Sequence, residues 1–174
     1  MGKIDSLVHY FMRKYKTTET DQILQRAQAL CAKQEKCTAD MRVKLIQWGL
    51  LKGEADMVIS KLVSEGFLDD VRYAGIFVRE KNRFNKWGAI KIAQALRIKG
   101  IPDKVIKEAL GQIEHKTEVE SLFTLLSNKV RTIKAKSPYE LKSKLIRFAL
   151  SRGYSYQDAL VAIGKITSGN DELE

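Results

Sequence analysis

Residues 66–88 read GFLDDVRYAGIFVREKNRFNKWG and gather the side chains whose chemistry is best suited to act on something outside the chain. Arg72, Arg79 and Arg83 can each grip a carboxylate or a phosphate through parallel N–H bonds. At about 100° per residue the three fall on one narrow stripe of a helix, opposite an apolar face of Tyr73, Ala74, Phe77 and Val78. Lys86 and Trp87 follow in the next turn. A tryptophan there can stack on a base or anchor a protein interface, or simply plug the joint between two helices. The adjacent carboxylates Asp69 and Asp70 could in principle share acid and base roles, but no shaped pocket or further polar partner is evident around them. Their place just before an apolar-periodic run fits a helix N-cap, whose carboxylate accepts N–H bonds and is favoured by the helix dipole.

Further cations extend the candidate surface: Lys91, Arg97 and Lys99 on the following helix, and Lys144 and Arg147 on a later one. The chain carries 31 Lys and Arg against 21 Asp and Glu, a net charge of +10. The excess is local. Residues 79–104 hold eight cations against two carboxylates, and residues 129–152 hold eight against one. Such a balance points to an anionic partner, either phosphates or acidic side chains.

Other chemistries find little support. Cys31 and Cys37 lack metal-ligand spacing, and His9 and His115 have no obvious acid partner, so neither a zinc site nor a disulfide framework is expected. There is no phosphate-loop, metal-ligand or nucleophile motif. The expectation is a non-enzyme without cofactor, small-molecule substrate or metal. No apolar run reaches the ~18 residues a bilayer span needs, and the start of the chain does not resemble a secretory signal, which suggests a cytoplasmic protein.

The elements that must hold these residues are helical. Val119, Leu122, Phe123, Leu126, Val130 and Ile133 recur at spacings of three and four, a single stripe over 117–134 with Thr117 and Glu120 as a capping box. Ser137 and Glu140 form a second box with Pro138 in the first turn. No stretch alternates with period two, so no sheet is expected.

A pattern of lysine, an aliphatic residue, seven others and then glycine occurs three times: Lys44-Leu45 to Gly53, Lys91-Ile92 to Gly100, and Lys144-Leu145 to Gly153. Each glycine fits a helix C-cap behind a cation, and each is flanked by a longer helix before (near 20–36, 70–85 and 117–134) and an apolar helix after. The predicted fold is all-α: three tandem three-helix repeats in an elongated or curved array. Residues 1–17 form an N-terminal amphipathic segment, 18–68, 69–114 and 115–167 the three repeats, and 168–174 a disordered acidic tail.

Residues 65–110 resemble the RecX family of recombination regulators. The likeness rests on Gly66-Phe67-Leu68-Asp69-Asp70, Arg72-Tyr73-Ala74, Phe77-Val78-Arg79, Lys86-Trp87-Gly88 and Leu96-Arg97 leading to Lys99-Gly100-Ile101. It extends to about Cys37–Leu68, with Thr38 as cap, and is looser in the third repeat. Met41 stands where the family tends to carry leucine. The resemblance implies binding to the RecA recombinase filament, along its helical groove, and inhibition of its ATPase, strand-exchange and coprotease activities; a monomer is expected. It also implies non-specific DNA contacts and a place in the control of recombination, DNA repair and the SOS response.

Two other readings compete. A helical repeat protein that binds DNA non-specifically, with no RecA-directed role, would have the same charge. No helix carries Asn, Gln and Arg at base-reading spacing, so sequence-specific readout is not expected. Residues 3–16 are basic and amphipathic and could lie on an anionic membrane, but docking onto the first repeat is the plainer fate, and no membrane partner is expected.

Overall fold

The structure, a computed structural model, describes residues 19–168. The segments expected to be amphipathic at the start and acidic at the end fall outside them, except Ser168, which ends the last helix. The described residues form nine α-helices and no strand. They are α1 (19–33), α2 (Thr38–Gln47), α3 (Lys52–Ser64), α4 (Asp70–Arg83), α5 (Ala89–Ile98), α6 (Asp103–Leu110), α7 (His115–Val130), α8 (Pro138–Ser151) and α9 (Tyr156–Ser168). They fall into two compact units that divide between Tyr73 and Ala74, within α4.

The repeat is visible in the backbone. Gly49, Gly100 and Gly153 all take positive φ, at 100°, 73° and 87°. Each closes its helix in the same way. The glycine N–H bonds the carbonyl three residues back (Ile46, Arg97, Leu150), and the next N–H bonds the carbonyl five back (Leu45, Leu96, Ala149). This is the Schellman cap, which satisfies carbonyls that a helix end leaves orphaned. The residue after each glycine, Leu50, Ile101 or Tyr154, is buried. Six residues past the glycine the next helix buries Ala55, Ile106 or Ala159, and nine past it Val58, Ala109 or Ala162.

The first copy of this pattern differs from the sequence expectation. The turn glycine is Gly49, not Gly53, which sits in the first turn of α3 with an open surrounding. The true counterpart of Lys91-Ile92 and Lys144-Leu145 is Asp40-Met41, with Met41 buried as Ile92 and Leu145 are. A slip of four residues turns a helix by about 400°, only some 40° past a full turn, so the apolar face is preserved and periodicity cannot detect the error.

Caps show the same mixture. Ser137 accepts from the Glu140 N–H at 3.2 Å with Pro138 in the first turn, as predicted; the Glu140 carboxylate, however, takes the Lys136 N–H at 2.7 Å rather than closing the box. Helix α7 starts two residues earlier than expected, so Thr117 lies inside its first turn and Glu114 is the N-cap. Thr38 does not cap α2 but is its first residue, behind Cys37.

Each unit has its own core. In the first, Ile23, Leu24 and Ala27 of α1 pack with Met41 and Leu45 of α2 and with Val58, Ile59 and Leu62 of α3. In the second, Leu122 and Leu126 of α7 meet Leu145 and Ala149 of α8 and Ala159, Ala162 and Ile163 of α9 around Tyr154.

Candidate partner-binding cleft

The acidic pair that opens α4 is structural. Asp69 Oδ1 accepts the Val71 and Arg72 N–H groups at 2.8 and 3.0 Å, capping the helix. Asp70 accepts from the Thr38 N–H and hydroxyl at 2.9 and 2.7 Å, so it ties down the start of α2. The bonds these two carboxylates make serve a helix end, a backbone N–H and a neighbouring hydroxyl.

The arginine stripe divides. Arg72 turns back onto the first unit: its Nε bonds Glu35 at 2.9 Å, and its terminal nitrogens bond the carbonyls of Gly66 and Phe67 at 3.2–3.3 Å. A cation there complements the negative end of α3. Arg72 was expected to be displayed for a partner; instead its donors are engaged within its own unit, and the hydrogen bond to Glu35 holds its pKa above the usual guanidinium value.

Arg79 and Arg83 face a cleft of about 710 Å³ wholly within the second unit. Lys86 lines it too. The three come from two turns of α4 and the bend after it. Opposite lie Gln112 and Ile113 of the α6–α7 connection and Thr117 and Ser121 of α7. Arg79 donates to Gln112 Oε1 and Lys86 Nζ to Ser121 Oγ, both at a long 3.4 Å. None of the three cations is ion-paired among the described residues, whereas Arg42 pairs with Asp56, and Arg97 with Asp103 at 2.7 Å. Phe84 sits at the lip, 74% exposed, with the Arg83 guanidinium 5.6 Å from its ring centre.

Lys86 adopts φ 53°, the left-handed region usually left to glycine. For a lysine this costs about 1 kcal/mol. The bend is held regardless: the Trp87 N–H reaches the Lys81 carbonyl at 3.0 Å, and buried Asn82 donates to the Trp87 carbonyl at 3.2 Å. The position would be easier for glycine, yet an ammonium is delivered to the cleft.

Trp87 and Lys91 lie in a joint beside it. The N–H groups opening α5 are satisfied by other elements: Gly88 by the Arg152 carbonyl at 2.9 Å, Ala89 by the Glu118 carboxylate at 2.9 Å, and Ile90 by the Gly153 carbonyl at 3.1 Å. The approach is so close that a β-carbon on Gly88 would strike the backbone of Gly153, and one on Gly153 would strike Lys91. Half-buried Trp87 closes this joint with the ammonium groups of Lys91 and Lys81 over its ring at 4.7 and 5.5 Å, and Lys91 also donates to the Ser151 carbonyl at 3.2 Å. The Tyr154 hydroxyl is buried nearby without a hydrogen-bond partner among the described residues, and desolvation, with the Glu118 charge, pushes its pKa up to about 12.

The remaining predicted cations do not converge on the cleft. Arg97 and Lys99 stand at the far end of α5, roughly 15 Å of helix from Gly88. Lys144 is occupied locally, with its Nζ on the Lys134 carbonyl and the Glu140 carboxylate at 2.8 Å each. Arg147 is exposed on α8. Residues that sequence patterning did not single out, Gln112, Ile113 and Ser121, complete the cleft because a short connection folds back against α4. The exposed Phe84, next to Arg83, was the one visible hint.

Among the described residues no cluster of His, Cys, Asp or Glu could hold a metal ion, and no helix is long and apolar enough to cross a membrane.

Comparison with known proteins bears on these features. Residues 69–110 match the model "RecX, second three-helix domain", and residues 116–163 match "RecX, third three-helix domain". Regulatory protein RecX of Clostridium acetobutylicum is 32% identical over 150 residues, covering 84% of this chain and 69% of that protein. Regulatory protein RecX of Clostridium perfringens (strain 13 / Type A) is 31% identical over 141 residues; the match covers 80% of this chain and 65% of the relative, so the chain spans less than two thirds of it. The crystal structure of RecX from Lactobacillus salivarius superposes with a TM-score of 0.76 at 22% identity, over 87% of this chain and 98% of that one.

Proposed function

The chain belongs to the RecX family, and from that membership and its basic cleft we propose that it binds the RecA recombinase filament and inhibits the filament's ATPase, strand-exchange and coprotease activities. The observation that carries the reading is the convergence of Arg79, Arg83 and Lys86, with no intramolecular carboxylate partners among the described residues, on one cleft of the second unit. A protein that presents unpaired cations on pre-set helices can recognise an anionic surface without paying much ordering entropy on binding. In this reading it acts by occupation: seated along the filament groove, it blocks subunit addition or a rearrangement needed for ATP turnover, with no covalent step. It works in the cytoplasm as a monomer, in control of recombination, DNA repair and the SOS response, and it touches DNA phosphates non-specifically. The repeat boundaries at 18–68, 69–114 and 115–167 belong to the same proposal.

The test is a titration of RecA-catalysed, DNA-dependent ATP hydrolysis at moderate salt, with DNA in large excess. The protein should inhibit in proportion to RecA; a passive DNA binder would be titrated away, and loss of inhibition in excess DNA would favour that second reading. A variant with Arg79→Ala, Arg83→Ala and Lys86→Gln should retain its helicity and lose inhibition by about tenfold or more, the size expected when several interface cations are removed together. Arg72 is left out of this variant because its donors are engaged within the first unit.

A further inference from the structure

The cleft that carries the three cations is not built like a phosphate track. Glu80 and Glu114 line it as well, so a nucleic-acid backbone laid through it would meet carboxylates as well as cations. Ile76, Ile113 and Phe84 give it apolar surface, and Phe84 alone is 74% exposed. Sugar and phosphate gain nothing from aliphatic side chains, and phosphate-binding surfaces are far more uniformly positive than this one. A base could stack on Phe84, but its strand would then run past both glutamates. A volume of about 710 Å³ is that of a pocket for a few side chains.

We propose that this cleft is a receptor for an acidic segment of a protein partner, in which an Asp or Glu side chain pairs with Arg79, Arg83 and Lys86 while a neighbouring aromatic or long aliphatic side chain inserts against Ile76, Ile113 and Phe84. The inference rests on the filament reading above and names its contact chemistry: the partner is met through protein rather than DNA. Glu80 and Glu114 then act in selection, since they repel an occupant that carries negative charge on both sides and admit one whose charge is confined to one edge. Arg79 and Lys86 are already oriented by Gln112 and Ser121 through long contacts that a carboxylate can replace. The left-handed Lys86 fits this account, because the backbone conformation fixes where its stem leaves the bend.

The experiment places a photoreactive benzoylphenylalanine at Phe84 of the full chain and irradiates it with RecA filaments assembled on single-stranded DNA. The expected product is a protein–protein adduct mapping to a RecA segment with a carboxylate beside an aromatic or aliphatic residue. The Arg79→Glu, Arg83→Glu variant should lower its yield about tenfold, while binding to a bare fluorescein-labelled oligothymidine changes less than about twofold. Adducts to DNA alone, or a parallel loss of oligothymidine binding, would overturn the proposal in favour of a phosphate site. If the wild-type chain does not sediment with filaments at all, the RecA reading fails by itself. The cleft is then decided by a fluorescein-labelled acidic peptide with one central phenylalanine: binding that disappears in the charge-reversal variant upholds the receptor, and absence of binding to the wild type overturns it.

Discussion

The turns at Gly100 and Gly153 have the same backbone and opposite surroundings. Both glycines are left-handed and both close a helix through the same pair of hydrogen bonds. Gly100 is exposed and a β-carbon on it would meet nothing within 4 Å, whereas Gly153 is buried and its β-carbon would land on Lys91. Gly100 only ends a helix. Gly153 ends a helix and also receives another, since its carbonyl accepts the Ile90 N–H and its lack of a side chain lets α5 approach. The repeat therefore reuses a local device and assigns it a tertiary task in one copy alone.

The strongest way to break this comparison is to add one methyl group at each site. Gly100→Ala should cost about 1–2 kcal/mol, the penalty of a left-handed L-residue. Gly153→Ala carries the same strain plus an overlap with backbone that cannot swing aside, for a total of about 3–5 kcal/mol. In thermal unfolding followed by circular dichroism the second variant should melt roughly 10 °C below wild type and well below the first. Equal melting temperatures would mean that the α5 joint is not held as described.

The arginine stripe divides in the same sense, and a milder test sharpens the point. Arg72 and Arg83 share a helix and a face, but Arg72 bonds Glu35 and two carbonyls while Arg83 faces the open cleft. Arg72→Ala should lower stability by about 0.5–1 kcal/mol, kept modest because the site is partly solvated, and should leave the proposed filament inhibition nearly intact. Arg83→Ala should stay within about 0.5 kcal/mol of wild type and weaken inhibition. Chemical denaturation and the ATPase titration, run on both variants, read the two columns of this cross; a stability loss at Arg83 without loss of inhibition would undo the assignment.

These divisions explain what the amino-acid order revealed and what it hid. Helical periodicity, the glycine caps at 100 and 153 and the Ser137 cap all depend on residues within one or two turns, so they were legible. The partner of an arginine is not: the angular position of Arg72 on α4 says which way it leaves the helix but nothing about Glu35, which precedes it by 37 residues. The cleft was half legible for the same reason. Its α4 wall follows from the stripe, whereas Gln112, Ile113 and Ser121 reach it only because the chain folds back after α6.

The smallest predicted effect concerns the one glycine whose role the repeating pattern misassigned. Were Gly53 a left-handed cap, Gly53→Ala would destabilise by about 1 kcal/mol or more. In the structure Gly53 lies in the first turn of α3 without positive φ, and a β-carbon there meets nothing within 4 Å. Alanine then gains in two ways: it restricts the unfolded chain and it suits the helix better, together about 0.5–1 kcal/mol of stabilisation. The sign decides the matter, because the two registers of the first repeat predict opposite shifts of the denaturation midpoint at constant slope. A rise places the cap at Gly49, with Met41 in the core position that Ile92 and Leu145 fill in the other copies; a fall would return it to Gly53 and Leu45.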